Sequence, residues 1–277
     1  QNGEGVFCPC YSVDNRLQIW YITLMSFSSQ TSLVDFEVND EKIIVPPIKC
    51  QGIKTKLIPF IKKHVSISEN STWIEPFMGT GVVAFNVAPK KAILSDKNQH
   101  LINFYKNIQN GTISSSSARN FLEFHGKKLE EFGKDYYLQI RKEFNENADP
   151  MYFLFLNRSD FNGMIRFNRK GQFNVPFCQK PNRFSKAYIT KICNQIENVS
   201  NIMKNKDWAF LCSNWQDTFN KALKGDFIYI DPPYIGRDTS YVGEWPEEEA
   251  ISLAKYAHKT EATVCLSMWK ENEFRTN

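Results

Sequence analysis

The sequence predicts an α/β fold with a Rossmann-like, doubly wound sheet, on three observations. Short apolar segments rich in β-branched and aromatic residues recur along the chain, and several of them stop at a polar residue. Stretches with a helical spacing of apolar residues separate these segments, and a glycine turn follows one of them. Continuous apolar runs are typical of parallel strands buried on both faces, and their alternation with helices predicts a parallel sheet.

The length and composition fit a globular enzyme with one large core and a smaller insertion. The chain has 277 residues, 42% of them hydrophobic, and a net charge of +4, which permits a polyanionic partner without requiring one. Its seven cysteines are irregularly spaced and form no paired Cys-x-x-Cys units. This pattern favours neither a disulfide framework nor a zinc site, so we expect a reducing cytoplasm and no metal.

The first 45 residues are predicted to form an N-terminal extension, for which disorder is one option. The chain starts with Gln1, and Met25 is followed by a Ser-rich polar segment typical of an amino terminus. Residues 1–24 are therefore either upstream translation or a flexible arm. The apolar run 17–25 is too short to span a bilayer, so we expect no membrane association.

A basic loop is the first candidate binding element. The segment Lys49-Cys50-Gln51-Gly52-Ile53-Lys54 leads into a helix predicted over 55–64. Lys54 lies near the start of that helix, where the helix dipole disfavours cations, so a bound carboxylate would explain its position. A solvated lysine is the alternative interpretation.

A strand, a glycine turn and a helix come next. The strand is predicted over 72–75, and the turn Pro76-Phe77-Met78-Gly79-Thr80-Gly81 leads into a helix. Glycines allow positive φ and close approach of a ligand, although a tight turn without a ligand is the alternative. A second strand, 92–96, ends at Asp96, where nucleoside-binding α/β folds place a carboxylate for the ribose.

Residues 111–204 are predicted to form a helical and hairpin insertion. Helical spacing covers 121–132, 136–144 and 185–203, and Asn168-Arg169-Lys170-Gly171 is typical of a hairpin tip. Basic side chains alternate with aromatics and asparagines over 153–177, which suits contacts with phosphates and base edges. A solvated basic hairpin is the alternative. The candidate nucleic-acid contacts are Asn162, Arg166, Asn168, Arg169 and Lys170.

Two further strands end at candidate site residues. The strand predicted over 208–212 leads to Asn214, whose amide is suited either to a cofactor amino group or to a helix cap. The run 227–230 stops at Asp231-Pro232-Pro233-Tyr234, and two prolines cannot continue a ladder. Ligand crevices of open α/β sheets lie outside such carboxyl ends. An acid, a rigid Pro-Pro and a ring suit a planar amine, and an ordinary Asp-Pro-Pro turn is the alternative.

The last part of the chain completes the α/β pattern. Residues 235–244 are predicted to form a mobile loop over the site. A helix is predicted to begin with Pro246 at its first position, because three acids follow in the first turn. One more strand is predicted over 263–267.

Together these motifs resemble the Dam-type (D12 class) DNA adenine-N6 methyltransferases, over nearly the whole chain from Ile48 onward. Their joint occurrence is far more specific than any single motif. The matching segments, in the family's order, are Lys49 to Lys54, Glu75 to Gly81, Ser95-Asp96, the block from Asn162 to Phe177, and Asp231-Pro232-Pro233-Tyr234.

The resemblance implies S-adenosylmethionine as methyl donor, N6 of adenine as acceptor and double-stranded DNA as partner. It implies a catalytic domain of residues 46–110 and 205–277, with 111–204 as DNA-recognition insertion. We expect a monomer; a restriction endonuclease of a restriction–modification pair is compatible with the sequence but not physically implied. The implied cofactor contacts are Lys54 (methionine carboxylate), Phe77, Gly79, Gly81, Asp96 (ribose), Asn214 (adenine) and Asp231, and the implied catalytic residues are Asp231, Pro232 and Tyr234.

The sequence departs from the family's pattern at three places. Cys50 stands where the family usually has tryptophan, and Asn214 stands where it usually has an acid. An antiparallel strand pair that closes the family's sheet after the 263–267 strand is expected to be missing. Related methylases of cytosine N4 start the tetrapeptide with Ser and those of protein glutamine with Asn, so Asp231 favours adenine. A non-catalytic, methylase-like DNA-binding protein is the alternative from another class.

Overall fold

A six-stranded parallel sheet forms the centre of the computed structural model, which describes residues 17–21, 42–233, 245–268, 271–272 and 275–276. The strand order is β1-β6-β5-β2-β3-β4. Its strands are β1 (Leu17–Tyr21), β2 (Thr72–Glu75), β3 (Lys91–Asp96), β4 (Asp207–Cys212), β5 (Phe227–Ile230) and β6 (Thr263–Met268).

The strand order reverses direction between β2 and β5. From β2 the chain proceeds outward through β3 to β4, then returns to β5 on the other side of β2 and continues to β6. Strands β2 and β5 are direct parallel neighbours, with Trp73 opposite Phe227 and Ile74 opposite Ile228. This reversal confirms the doubly wound prediction and creates a switch point, where such sheets bind their ligands.

Helices cover both faces of the sheet and fill the insertion. Short 3₁₀ turns at Thr55–Leu57 and Pro181–Arg183 accompany them. The helices are α1 (Ile58–His64), α2 (Val82–Val87), α3 (Gln99–Gln109), α4 (Ser115–Asn147), α5 (Pro150–Ser159), α6 (Lys186–Met203), α7 (Trp215–Phe219) and α8 (Glu247–Lys259).

Two apolar clusters sandwich the sheet. The larger one contains Trp73 and Phe85 from the sheet region together with Phe144, Phe155 and Ile196 from α4, α5 and α6. The helices of the insertion therefore share one continuous core with a face of the sheet. The smaller cluster covers the other face and joins α7 and α8 to β5 and β6.

Most predicted elements form, and two differ in detail. All four residues of β5 are buried, as its continuous apolar run predicts. The helices predicted over 121–132 and 136–144 belong to one segment, α4, which is interrupted at Gly133 with φ 55° and ψ −128°. Pro246 was predicted at the first helical position, and this is wrong by one residue because it occupies the N-cap of α8.

Both ends of the described chain contribute strands. Strand β1 lies within the segment predicted as an extension and pairs in parallel with β6, Leu17 opposite Val264. Strands β7 (Glu271–Asn272) and β8 (Arg275–Thr276) pair with each other in a separate antiparallel sheet. No helix among the described residues is both long and apolar enough to cross a membrane.

Candidate active site

An ion pair marks the point where β2 and β5 end. The Lys54 ammonium lies 2.8 Å from Oδ2 of Asp231, the residue that follows β5. Lys54 also donates a hydrogen bond to the carbonyl of Gly52 at 3.3 Å. The lysine side chain is only 6% exposed, whereas the Asp231 side chain is 20% exposed. The carboxylate therefore compensates a buried cation, while the Asp231 side chain remains partly exposed.

Glu75, the last residue of β2, lies behind this pair. It is 2% exposed, and its Oε1 accepts a hydrogen bond from the Trp73 indole at 3.0 Å. Burial, with a smaller contribution from the charge of Asp231, raises the pKa of Glu75 to about 8. Because β2 and β5 are direct parallel neighbours, Glu75 and Asp231 lie at adjacent strand ends and belong to one site.

The glycine turn after β2 is held by the strand next to it. The amide of Met78 donates to the carbonyl of Ser95 at 2.8 Å, and the Tyr105 hydroxyl donates to the carbonyl of Thr80 at 2.7 Å. Gly79 has φ +49°, and a Cβ built on it would meet no atom within 4 Å. The backbone at Gly79 thus faces open space, as a turn that admits a ligand requires.

Gly81 has a different reason to be glycine. It caps α2 in the left-handed region with φ +72°, and a Cβ there would lie 2.8 Å from Cε2 of Phe85. The turn can close over the Phe85 ring only without a side chain at this position. Its implied role in lining a cofactor cleft remains a prediction.

Asp96, at the end of β3, is fixed by two backbone amides. Its Oδ2 accepts from Gly79 N–H at 3.1 Å, and its Oδ1 accepts from Asn98 N–H at 2.8 Å. The residue is 8% exposed, and burial raises its pKa to about 6. Each oxygen keeps a further lone pair, so the carboxylate can accept additional hydrogen bonds beside the glycine turn.

An aromatic wall stands next to the turn. The ring of Phe77 stacks on Trp215 at 6.3 Å and meets Trp245 edge-on at 5.4 Å. The Trp215 indole donates to Glu249 of α8 at 2.6 Å. No role for Trp245 or Glu249 was predicted from the sequence. The only sequence signal near them is the group of acids in the first turn of α8, which includes Glu249.

Asn214 lies at the tip of β4 and serves as a helix cap. Its Oδ1 accepts from the amide of Asp217 at 2.8 Å, so the capping interpretation is confirmed. The side chain is exposed beside Trp215, and its contact with a cofactor remains a prediction. Tyr234 and the loop 235–244 lie outside the described residues.

The predicted hairpin forms, with its tip where the sequence places it. Phe167 bridges Phe173 in antiparallel pairing, and the amide of Gly171 donates to the carbonyl of Asn168 at 2.9 Å. Arg169 and Lys170 are exposed at this tip. Among the predicted DNA contacts of the hairpin, Arg169 and Lys170 thus present exposed charge, whereas Arg166 and Asn168 support the turn.

The supporting residues are Arg166 and Asn168. Arg166 Nε donates to Oδ1 of Asn174 at 2.8 Å, so this guanidinium already braces the hairpin. The Asn168 side chain accepts from the amides of Lys170 and Gln172 at 2.9 and 3.0 Å. Both remain candidate DNA contacts, but their positions in the structure give them a structural task as well.

The hairpin begins with two exposed residues on a buried base. Phe161 is 51% exposed, and Asn162, also exposed, has φ +61°. Gly163 is buried against Lys49, the first residue of the basic loop, since a Cβ on it would lie 2.5 Å from Lys49 Cβ. The hairpin base therefore adjoins the loop that carries Lys54.

Comparison with known proteins identifies the family. A model of the D12 class N6 adenine-specific DNA methyltransferases matches residues 51–276. A DNA adenine methylase of Vibrio cholerae serotype O1 is 33% identical over 225 residues, 77% of this chain and 76% of the relative. One of Serratia marcescens is 34% identical over 224 residues, 76% and 77% of the two chains. A Type II methyltransferase of Methanocaldococcus jannaschii is 30% identical over 242 residues, 78% and 80%. This chain belongs to the D12 class of N6 adenine-specific DNA methyltransferases.

Proposed function

We propose that the switch point between β2 and β5 transfers a methyl group from S-adenosylmethionine to an adenine N6 held on Asp231 and Pro232. One observation carries the proposal. The partly exposed side chain of Asp231 lies at the end of a strand directly beside the strand that leads into the Gly79 turn. A base held at the first point and a cofactor held at the second would share one cleft.

The residues at the glycine turn fit this cofactor. Gly79 leaves open space above the backbone, which a side chain would fill. Asp96 has free lone pairs for the two ribose hydroxyls, and Phe77 supplies an apolar wall beside them. When bound, S-adenosylmethionine would supply an electrophilic methyl group on a sulfonium.

Lys54 fits the methionine end of the same cofactor. Its ammonium is paired with Asp231 at the end of β5. A lysine has three N–H donors, so it can retain the Asp231 contact and also bind a carboxylate. Lys54 would then join the cofactor site to the acceptor site through a single charge.

Asp231 and Pro232 are suited to activate adenine N6, which is a weak nucleophile. The N6 lone pair of adenine is delocalised into the ring, so the nitrogen is a poor nucleophile. The Asp231 carboxylate and the Pro232 carbonyl can each accept a hydrogen bond from one N6 hydrogen. Both contacts would strengthen as the nitrogen gains positive charge while its bond to the methyl carbon forms and the carbon–sulfur bond breaks to leave the thioether, and the surplus N6 hydrogen would then leave as a proton to solvent.

The hairpin would hold the DNA. The exposed cations Arg169 and Lys170 are suited to bind phosphates. Phe161 is exposed at the hairpin base, beside the basic loop. An adenine inside a duplex must leave the stack before its N6 can reach Asp231, which costs a few kcal/mol. An exposed aromatic ring near the cleft can offset part of this cost by stacking on bases.

The proposal is tested by single-turnover methylation of duplex DNA with labelled S-adenosylmethionine, followed by identification of the modified base. We expect N6-methyladenine from the wild type. The variant Asp231→Ala is expected to lower turnover by roughly 10²-fold or more, because it removes a transition-state contact. Asp217→Ala, which removes an exposed carboxylate on α7, serves as the matched control and should keep full activity.

The Asp231 variant requires a check of folding, because the buried Lys54 loses an ion pair. Thermal unfolding and cofactor binding are therefore measured on the same samples. Full turnover by a folded Asp231→Ala protein would refute the assignment. Methylation of cytosine or of protein by the wild type would refute the acceptor.

A further inference from the structure

One buried side-chain amide, that of Asn157, connects the basic loop (49–54) to the hairpin. Asn157, in the last turns of α5, is 0% exposed. Its Oδ1 accepts from the Lys49 amide at 2.8 Å, and its Nδ2 donates to the Lys49 carbonyl at 3.0 Å. The same Nδ2 donates to the carbonyl of Gly163 at 3.3 Å. Asn157 therefore contacts both the start of the loop that ends at Lys54 and the base of the hairpin.

Close packing strengthens this junction. Gly163, with φ +68°, lies so near Lys49 that an added Cβ would fall 2.5 and 2.7 Å from its Cβ and Cδ. The next residue of α5, Arg158, is 3% exposed and donates to the Pro47 carbonyl at 2.6 Å. Because packed interiors transmit displacement, a shift of Gly163 must move the loop at Lys49.

The hairpin base is also built to present side chains outward. Asp160 is 4% exposed, and burial raises its pKa to about 9 although the nearby amides of Gly163 and Met164 oppose that shift; neither amide makes a hydrogen bond of normal geometry to the carboxyl. Between Asp160 and Gly163 stand the exposed Phe161 and Asn162. Any contact that fixes these two residues therefore acts directly on Gly163.

We infer that Asn157 is a positioning residue that couples DNA binding at the hairpin to cofactor binding at Lys54. The inference rests on the proposed function. DNA that orders residues 161–163 fixes the Gly163 carbonyl, and Asn157 passes this restraint to Lys49 and so to the loop that sets the Lys54 ammonium. The coupling is reciprocal, since each ligand must tighten the other by the same factor.

The experiment measures the dissociation constant of S-adenosylhomocysteine by calorimetry, with and without a saturating duplex that the wild-type enzyme methylates. We expect the duplex to tighten binding by at least about fivefold in the wild type, the lower end of ordinary coupling between sites. In Asn157→Ala the ratio should fall below about twofold. A merely structural role would lower stability without changing this ratio.

Asn86 provides a matched control. Its Oδ1 accepts from the Ile44 amide at 2.9 Å, and its Nδ2 donates to the Ile44 carbonyl at 2.8 Å. Asn86→Ala therefore removes the same kind of clamp from the same N-terminal segment, without touching the hairpin. We expect it to keep the wild-type ratio.

A second variant keeps the test decisive if Asn157→Ala does not fold. Gly163→Ala keeps the Asn157 side chain but places a Cβ within 2.5 Å of Lys49 Cβ, so it displaces the hairpin base against Lys49. It should reduce the ratio as well. An unchanged ratio in the folded variants, or no coupling in the wild type, would overturn the inference. A wild type that neither binds the cofactor product nor methylates DNA would reject the proposed function instead.

Discussion

The site at the carboxyl ends of the strands and the hairpin present their charged groups to ligands in opposite ways. At the carboxyl ends of β2, β3 and β5 the charged groups are wholly or largely buried and already engaged: Lys54 is paired with the partly exposed Asp231, and Asp96 accepts two backbone amides. At the hairpin tip Arg169 and Lys170 are exposed, while Arg166 and Asn168 brace the turn beneath them. The first region fixes geometry before binding, and the second offers charge on a rigid support.

This difference separates the expected effects of substitution. A buried, preorganised group contributes to stability, pKa values and the chemical step, because its surroundings are arranged around its charge. An exposed cation contributes to DNA affinity through counterion release, which depends on salt.

The largest of these effects is expected at the hairpin. The double variant Arg169→Ala, Lys170→Ala should bind duplex DNA about tenfold more weakly, and the slope of log affinity against log salt should fall by about 2. Turnover at saturating DNA should remain near the wild-type value. Filter binding over a range of salt concentrations measures both quantities.

A control with the same charge change is available at the opposite ends of the strands, where their amino termini lie. Lys221 and Lys224 are exposed just before β5 begins, whereas the active site lies where β5 ends. The double variant Lys221→Ala, Lys224→Ala should leave the salt slope unchanged. Equal slopes in both double variants would show that net charge, rather than the hairpin, attracts the DNA.

A smaller effect is expected from Glu75 on stability against pH. Its pKa is about 8 in the folded protein and near 4.5 when exposed, so the folded state binds more protons between these values. Its contribution to stability is fully present below pH 4.5 and is lost as pH rises through 8. Glu75→Gln should therefore raise the melting temperature at pH 8 and leave it nearly unchanged at pH 4.5.

Glu130, which is exposed on α4, supplies the comparison for this measurement. Glu130→Gln should not alter how the melting temperature changes with pH. If Glu75→Gln melts like the wild type at both pH values, the carboxyl is not held neutral by burial.

The smallest effect concerns Asp96 and acid pH. Because burial places its pKa near 6, the carboxylate gains a proton as pH falls below 6 and loses acceptor capacity for ribose hydroxyls. The dissociation constant of S-adenosylhomocysteine should rise several-fold from pH 7 to pH 5. Asp96→Ala should bind S-adenosylhomocysteine weakly, with a dissociation constant that does not change between pH 7 and pH 5. A wild-type constant that does not change would separate Asp96 from the cofactor.

Elements dominated by local pattern could be predicted from the sequence. The buried run of β5 and the proline stop after it place Asp231 at a strand tip without any knowledge of the tertiary structure. The turn residues at 168–171 likewise specify the hairpin tip. The family assignment from five short motifs is confirmed by the match over residues 51–276.

Contacts between distant segments could not be predicted in this way. The pKa of Glu75 is raised mainly by its burial in the folded core and further by the charge of Asp231, which only the pairing of β2 with β5 brings near. Asn157 shows no local sign that it clamps Lys49, since buried asparagines have no periodic pattern. The same holds for the Phe77–Trp245 contact, which joins the glycine turn to the start of α8.

The central claim is that the cofactor is held at Asp96 and the base at Asp231, at two ends of one cleft. The most direct test compares Asp96→Ala with Asp231→Ala, with cofactor affinity and single-turnover rate at saturating cofactor measured on each. Asp96→Ala should lose affinity about tenfold or more and keep most of its rate, whereas Asp231→Ala should keep affinity within several-fold and lose its rate. Equal losses of affinity in both variants, or an unchanged affinity in Asp96→Ala, would contradict this division of the site.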